Sequence, residues 1–202
     1  MEKQDVYLVY EYCEGGTLED RITMEEHQFM AYFGQIIEAL CRAEAKNIMH
    51  RDIKPANILF KDGKIKVADW GFSRLLEFGE TTCSFIGSPA YMAPEVLKGE
   101  EYSLKADVWS LGIVAYECLF GVCPWSSKSI AALSNEISRK ALHLPQERGL
   151  SKTTQKILSS MLNADPLGRP TFKEIRNMLN VKVMSSPKLS RSEAVLSCKQ
   201  SR

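Results

Sequence analysis

The run His50-Arg51-Asp52-Ile53-Lys54-Pro55-Ala56-Asn57 is followed by Ile58-Leu59-Phe60, Lys61-Asp62-Gly63-Lys64, Ile65-Lys66-Val67-Ala68 and Asp69-Trp70-Gly71. Two short apolar runs around Asp-Gly predict a β-hairpin, because these residues readily take the positive φ angles of a two-residue turn. A hairpin brings its ends together. Asp52 and Asn57 before it and Asp69 after it should therefore converge, with the Lys54 cation nearby. Two carboxylates, an amide and an ammonium can hold Mg²⁺ and a phosphate, since this ion takes oxygen ligands and keeps part of its water shell. On residue type alone, three ordinary polar loop groups fit the same pattern.

Towards the N-terminus, Val6-Tyr7-Leu8-Val9-Tyr10 reads as a buried strand, β-branched and aromatic, ended by the loop Cys13-Glu14-Gly15-Gly16. Thr17 with Asp20, and Thr23 with Glu26, have the spacing of capping boxes. After the second, Phe29, Phe33, Ile36, Ile37 and Leu40 recur on one helical face and predict a helix to about Ala45.

Towards the C-terminus, helical periodicity resumes near Leu104 and is broken at Pro124, at Pro145 and at Asp165-Pro166-Leu167-Gly168-Arg169-Pro170. Thr171 with Glu174 caps one more helix, whose apolar face is Phe172, Ile175, Met178 and Leu179. Residues 182–202 are serine-rich and aperiodic and are expected to form a disordered basic tail. The expected fold is α+β, mostly α, with one domain over 1–181.

Composition narrows the classes. The 202 residues are 45% hydrophobic and 25% charged, as in an ordinary folded domain, which excludes global disorder and collagen-like structure. A net charge of +1 leaves no overall field favouring nucleic acid or an anionic membrane. Cys13, Cys41, Cys83, Cys118, Cys123 and Cys198 form no C-x-x-C pair, and three histidines give a zinc site little to build on. Reduced thiols and a cytoplasmic or nuclear address follow. The most apolar stretch, Val108 to Trp125, carries Glu117, and an ionised residue at mid-membrane costs ~3 kcal/mol. It is expected to be a buried core helix rather than a membrane span.

Several of these stretches share one resemblance. His50 to Asn57 resembles the catalytic loop of eukaryotic protein kinases, and Asp69-Trp70-Gly71 their metal-binding DFG triplet. Gly87-Ser88-Pro89-Ala90-Tyr91-Met92-Ala93-Pro94-Glu95 is similar to the end of their activation segment. Asp107-Val108-Trp109-Ser110-Leu111-Gly112 is similar to the start of their central helix, and Arg169 lies where the family pairs an arginine with the segment's last glutamate. All occur in family order over roughly residues 6–180.

The resemblance implies a hinge strand plus large, C-terminal lobe and the chemistry of phosphoryl transfer. Asp52 would orient the substrate hydroxyl and take its proton. Lys54 would neutralise the γ-phosphate of ATP, and Asn57 and Asp69 would hold Mg²⁺. Glu11 and Cys13 would offer hinge backbone groups to adenine, with Tyr10 as gatekeeper and Leu59 beneath the ring, although a core role suits Leu59 equally. Lys54 two residues after Asp52 implies serine/threonine specificity and a protein substrate. Arg51 before Asp52 implies an upstream activating kinase, with Thr81, Thr82 and Ser84 as candidate acceptors. Glu95 and Arg169 are expected to form a buried ion pair.

Trp70 stands where phenylalanine is usual, still an aromatic beside His50, and Ser88 keeps a hydroxyl able to bond the catalytic loop. The larger departure is that no G-x-G-x-x-G loop and no lysine in a V-A-I-K setting occur in the sequence. The chain is therefore expected to be a fragment with its small lobe largely missing, weakly active or inactive on its own. A kinase-like lobe that binds partners without chemistry is the alternative. Leu119 to Trp125 also resembles the wording of autophagy-initiating kinases.

Overall fold

The architecture is arranged around one helix that has no solvent face. A computed structural model describes residues 9–77, 80–82 and 86–183, with only the backbone path for 180–183. Within it α3, Lys105–Phe120, buries twelve of its sixteen residues. A helix apolar on all sides is stable only in the middle of a core, and the helices Glu26–Glu44 and Lys152–Met161 pack directly against it. It ends at Gly121, whose φ of +80° closes the last turn with a bond to the Glu117 carbonyl (2.8 Å). Among the described residues no helix is long and apolar enough to cross a membrane.

Helix α1, Glu26–Glu44, buries Phe29, Phe33, Ile36, Ile37 and Leu40, the face its periodicity predicts, and adds Cys41. Its expected capping box does not form. Thr23 sits at φ +71°, and the Glu26 carboxylate instead accepts from Ser151 N (2.9 Å) and from the hydroxyls of Ser151 and Thr154. A charge-assisted set of bonds to the start of another helix outcompetes one local cap. The Thr17–Asp20 pair does close, at 2.7 Å and 3.0 Å, over a single 3-10 turn at Glu19–Arg21.

Around α3 and α1 lie a short helix α2 (Pro94–Leu97), α4 (Ile130–Arg139), α5 (Lys152–Met161) and α6 (Phe172–Val183). The last opens on the reciprocal box read from the sequence. Thr171 N and Oγ1 reach the Glu174 carboxylate at 2.7 Å and 2.9 Å, and Glu174 N returns a bond to Thr171 Oγ1 at 3.1 Å. Phe172 and Ile175 are buried, with Met178 and Leu179 packed beside them. Helix α6 runs two residues into the span expected as tail; the rest of that span, 184–202, lies outside the described residues.

The strands are few. β1 (Ile48–Met49) pairs antiparallel with β4 (Arg74–Leu75), and β2 (Ile58–Lys61) with β3 (Lys64–Val67), in the register Ile58↔Val67 to Lys61↔Lys64. The β2–β3 turn is Asp62-Gly63 with φ of +48° and +70°, the geometry its two residues favour. Residues 15–18 run alongside β2 through Gly15 N to Phe60 O (2.9 Å), Phe60 N to Gly16 O (3.0 Å) and Leu18 N to Ile58 O (2.8 Å). Gly15 is required there, because a Cβ would stand 2.6 Å from that of Phe60.

The expected N-terminal strand is corrected in part. Val6, Tyr7 and Leu8 lie outside the described residues, while Val9 and Tyr10 are 96% and 78% exposed and belong to no strand. Burial of an extended segment needs a neighbouring ladder, and no described strand offers these two residues one.

Candidate active site

The geometry of the His50–Asn57 loop begins at α3. The Asp107 carboxylate, in the first turn of that helix, accepts the backbone N–H of His50 at 2.7 Å and of Arg51 at 2.9 Å. Burial pushes Asp107 up, and these two bonds pull it back towards ionisation. So held, Arg51 takes φ +71°, a region costly for a residue with a Cβ. The chain then turns Asp52 inward.

Asp52 is only 5% exposed, and both its oxygens are engaged. One accepts Ser88 N (3.1 Å) and Ser88 Oγ (3.0 Å). The other accepts Lys54 Nζ (2.8 Å) and Asn57 Nδ2 (3.0 Å). Lys54 Nζ also donates to Ser88 Oγ at 3.1 Å, and Asn57 Nδ2 to the Asp52 carbonyl at 2.8 Å. Burial raises the Asp52 pKa, but the Lys54 ammonium, the Ser88 hydroxyl and the Asn57 amide outweigh it, and the carboxyl lies below its ordinary value. Gly87 lets Ser88 approach. At φ +113° it passes where a Cβ would meet the Arg51 carbonyl oxygen at 2.5 Å.

The hairpin delivers Asp69 beside this cluster. Ala68 N donates to the Asn57 carbonyl at 2.9 Å, and the Ala68 carbonyl pairs with His50 Nε2 at 2.9 Å. Asp69 follows at φ +60° with an exposed carboxylate. The Asn57 amide nitrogen is spent on Asp52, so its oxygen points the other way. That oxygen and the Asp69 carboxylate are hard donors of the type Mg²⁺ prefers. Trp70 packs against His50 with the rings tilted by 56° and their centroids 4.5 Å apart, and it donates Nε1–H to the Val67 carbonyl at 2.9 Å.

On β2 the side chains alternate. Ile58 and Phe60 enter the core, and Leu59 lies half-buried on the opposite face with Lys61. Onto that face folds Glu11, whose carboxylate is held by Lys61 Nζ (3.0 Å) and Lys66 Nζ (3.2 Å). Cys13 is half-buried with a free thiol. Asp52, Lys54, Asn57 and Ser88 are thus brought into one hydrogen-bonded cluster, Asp69 is one residue from it along the backbone, and Glu11 and Leu59 share the outer face of the hairpin.

Sequence reasoning found Ser88 through its hydroxyl but not the clamp of Asp107 on two backbone groups or the lysines around Glu11. The signal for the first was only the acidic residue opening an apolar helix.

The activation-segment end is tied down separately. Arg169, buried, makes parallel bonds to Glu95 at 2.6 Å and 2.7 Å. Tyr91 OH donates to Glu117 at 2.8 Å, and burial, with that carboxylate, pushes the phenol far up.

A buried carboxylate paired with a lysine two residues on, a hairpin, and a segment closed by a buried Glu–Arg pair define a class, and the chain belongs to the protein kinase domain family, whose model matches residues 1–180. It is 36% identical over 177 residues to "Serine/threonine-protein kinase ULK3" of Xenopus laevis, covering 84% of this chain and 38% of that protein. It is 33% identical over 180 residues to "Serine/threonine-protein kinase atg1" of Dictyostelium discoideum (85% and 27%). Against "Probable serine/threonine-protein kinase MARK-C" of the same organism the identity is 39% over 184 residues (87% and 23%). The chain therefore spans well under half the length of these relatives.

Proposed function

We propose that this chain supplies the catalytic lobe of a serine/threonine protein kinase that transfers the γ-phosphate of ATP, with Mg²⁺, to a protein hydroxyl. The observation that carries the reading is the cluster of Asp52 with Lys54, Asn57 and Ser88 at 2.8–3.1 Å. Asp52, kept ionised, orients a substrate serine or threonine hydroxyl and takes its proton. Lys54, already bridging Asp52 and Ser88, reaches a phosphate oxygen. When bound, Mg²⁺ draws charge from the phosphate oxygens; the Asn57 amide oxygen and the Asp69 carboxylate would hold it. Glu11, Cys13 and Leu59 would line the adenine. Little covalent chemistry falls to the protein, so positioning and electrostatics set the rate.

Serine/threonine selectivity is supported by Lys54 and by the names of the relatives. For an upstream activating kinase, Thr81 is exposed and Thr82 buried, while Ser84 lies outside the described residues. A cytoplasmic or nuclear address is supported by Cys41 and Cys118, which pack in the core as small apolar side chains.

The test is transfer of labelled phosphate from Mg²⁺-ATP to a mixed protein substrate by this chain. Transfer that Asp52→Asn abolishes supports the proposal. A second reading, a lobe that binds partners without chemistry, is favoured by the lack of a G-x-G-x-x-G run in these 202 residues. A wild-type chain whose melting temperature is unmoved by Mg²⁺-ATP and which transfers nothing would favour it.

A further inference from the structure

Between Cys13 and Leu18 the backbone is fastened by two neighbouring side chains that the transfer chemistry leaves unexplained. Its inner edge lies on β2, where Gly15 and Gly16 both face Phe60. Gly15 N donates to the Phe60 carbonyl at 2.9 Å, and Phe60 N donates to the Gly16 carbonyl at 3.0 Å. Two residues opposite one make a bulge, which re-aims the chain and leaves a group outside the ladder. Here that group is the Gly15 carbonyl. Beyond the bulge, Thr17 pairs with Leu59.

Arg21 takes the group that the ladder leaves out. Its Nη2 donates to the Gly15 carbonyl at 3.0 Å, its Nη1 stands 3.5 Å from the Tyr32 hydroxyl, and its guanidinium carbon lies 3.9 Å from the centroid of the Phe60 ring. Tyr32 meets the same ring edge-on, with centroids 4.9 Å apart and planes at 78°. Asp20, one residue earlier, holds the far side of the bulge by accepting Thr17 N and Oγ1. Neither glycine leaves slack. A Cβ on Gly16, at φ +72°, would stand 2.7 Å from the Asp20 carboxylate, and one on Gly15 would meet Phe60. Arg21 and Asp20 are exposed, so the core is packed without them.

We propose that Arg21 is a positioning residue for the nucleotide: by tying the bulged Gly15 carbonyl down over Phe60, it fixes where the Cys13 N–H stands relative to Leu59. The inference rests on the reading of Cys13 and Leu59 as adenine contacts and adds the side chain that sets the spacing between them. Cys13 lies two residues before the tied carbonyl, and Leu59 directly precedes Phe60, so a shift of the bulge reaches both sides of the base. The partners of Arg21 are separate from those of Asp52, Lys54 and Asn57. Its effect therefore falls on nucleotide affinity and not on the transfer step.

The test compares the full chain with Arg21→Ala and Arg21→Lys. Binding of Mg²⁺-ADP is read by calorimetry, KM for ATP and kcat with a mixed serine/threonine substrate, and folding by urea denaturation. Arg21→Ala is expected to weaken ADP binding and raise KM for ATP about fivefold, the scale of one charged hydrogen bond with a cation–π contact at an exposed site. The urea midpoint and kcat should stay unchanged. Arg21→Lys should recover part of the loss, since an ammonium can sit over Phe60 or reach Gly15 but lacks the planar fork. Unchanged ADP binding in Arg21→Ala overturns the proposal and leaves the function reading standing, as does a loss seen only in kcat or only in step with the urea midpoint. If the chain binds ADP without transferring phosphate, the binding comparison alone decides the role of Arg21. A wild type that neither binds ADP nor transfers phosphate sinks the function reading and this proposal with it.

Discussion

Arg169 and Glu95 face each other through two parallel N–H···O bonds, 2.6 Å and 2.7 Å, inside the protein and 74 residues apart in sequence. The remaining guanidinium donors reach the carbonyls of Asn163 (2.8 Å), Lys105 (3.1 Å) and Ala164 (3.2 Å), and the guanidinium carbon lies 5.0 Å from the centroid of the Trp109 ring. Arg169→Ala leaves the Glu95 charge buried without its partner, at ~3–5 kcal/mol. Urea denaturation should show that loss, and Arg169→Lys should recover little of it because an ammonium cannot form the fork.

Asp107→Asn tests the clamp on the catalytic loop. An amide has one acceptor where the carboxylate has two, so the N–H of either His50 or Arg51 faces an NH₂ group, at ~1–3 kcal/mol. Faster hydrogen exchange at those two amides, with the rest of the core unchanged, is the expected result.

The pH dependence of Asp52 has a definite sign. Its folded pKa lies below the unfolded value of about 3.9, so its contribution to stability is fully present above that value and is lost as pH falls through the folded pKa. Lys54→Met removes the nearest cation and should move the Asp52 titration to higher pH, read from the carboxyl carbon shift by NMR. An unmoved titration would contradict the pairing.

Gly87→Ala puts a Cβ 2.5 Å from the Arg51 carbonyl oxygen at φ +113°. The segment must retreat and carry Ser88 from Asp52. A displacement near 1 Å at a reacting centre costs about 10²-fold in rate, so kcat should fall far more than the melting temperature.

Much of this fold is local enough to be legible in the sequence. The Asp62-Gly63 turn, the buried face of α1 and the Thr171–Glu174 box each depend on residues within a few positions, and each appears as read. The site was legible where the hairpin alone converges Asn57 and Asp69. What escaped involves distant partners. Glu26 spends its carboxylate on Ser151, 125 residues away, rather than on Thr23, and Asp107 serves a loop 57 residues earlier. Spacing carries no trace of either choice. Val9 and Tyr10 failed as a buried strand because β propensity describes a side chain that fits a sheet, not the presence of one.

The central helix gives the molecule a single adjustable angle. Asp107 sets the loop that bears Asp52, and two residues on Trp109 backs the Arg169 guanidinium. Rotating that rod by one position, about 100°, would unseat both together. Drift in sequence can therefore tune the periphery piece by piece, but the Asp52 loop and the Glu95–Arg169 clasp must keep step with each other.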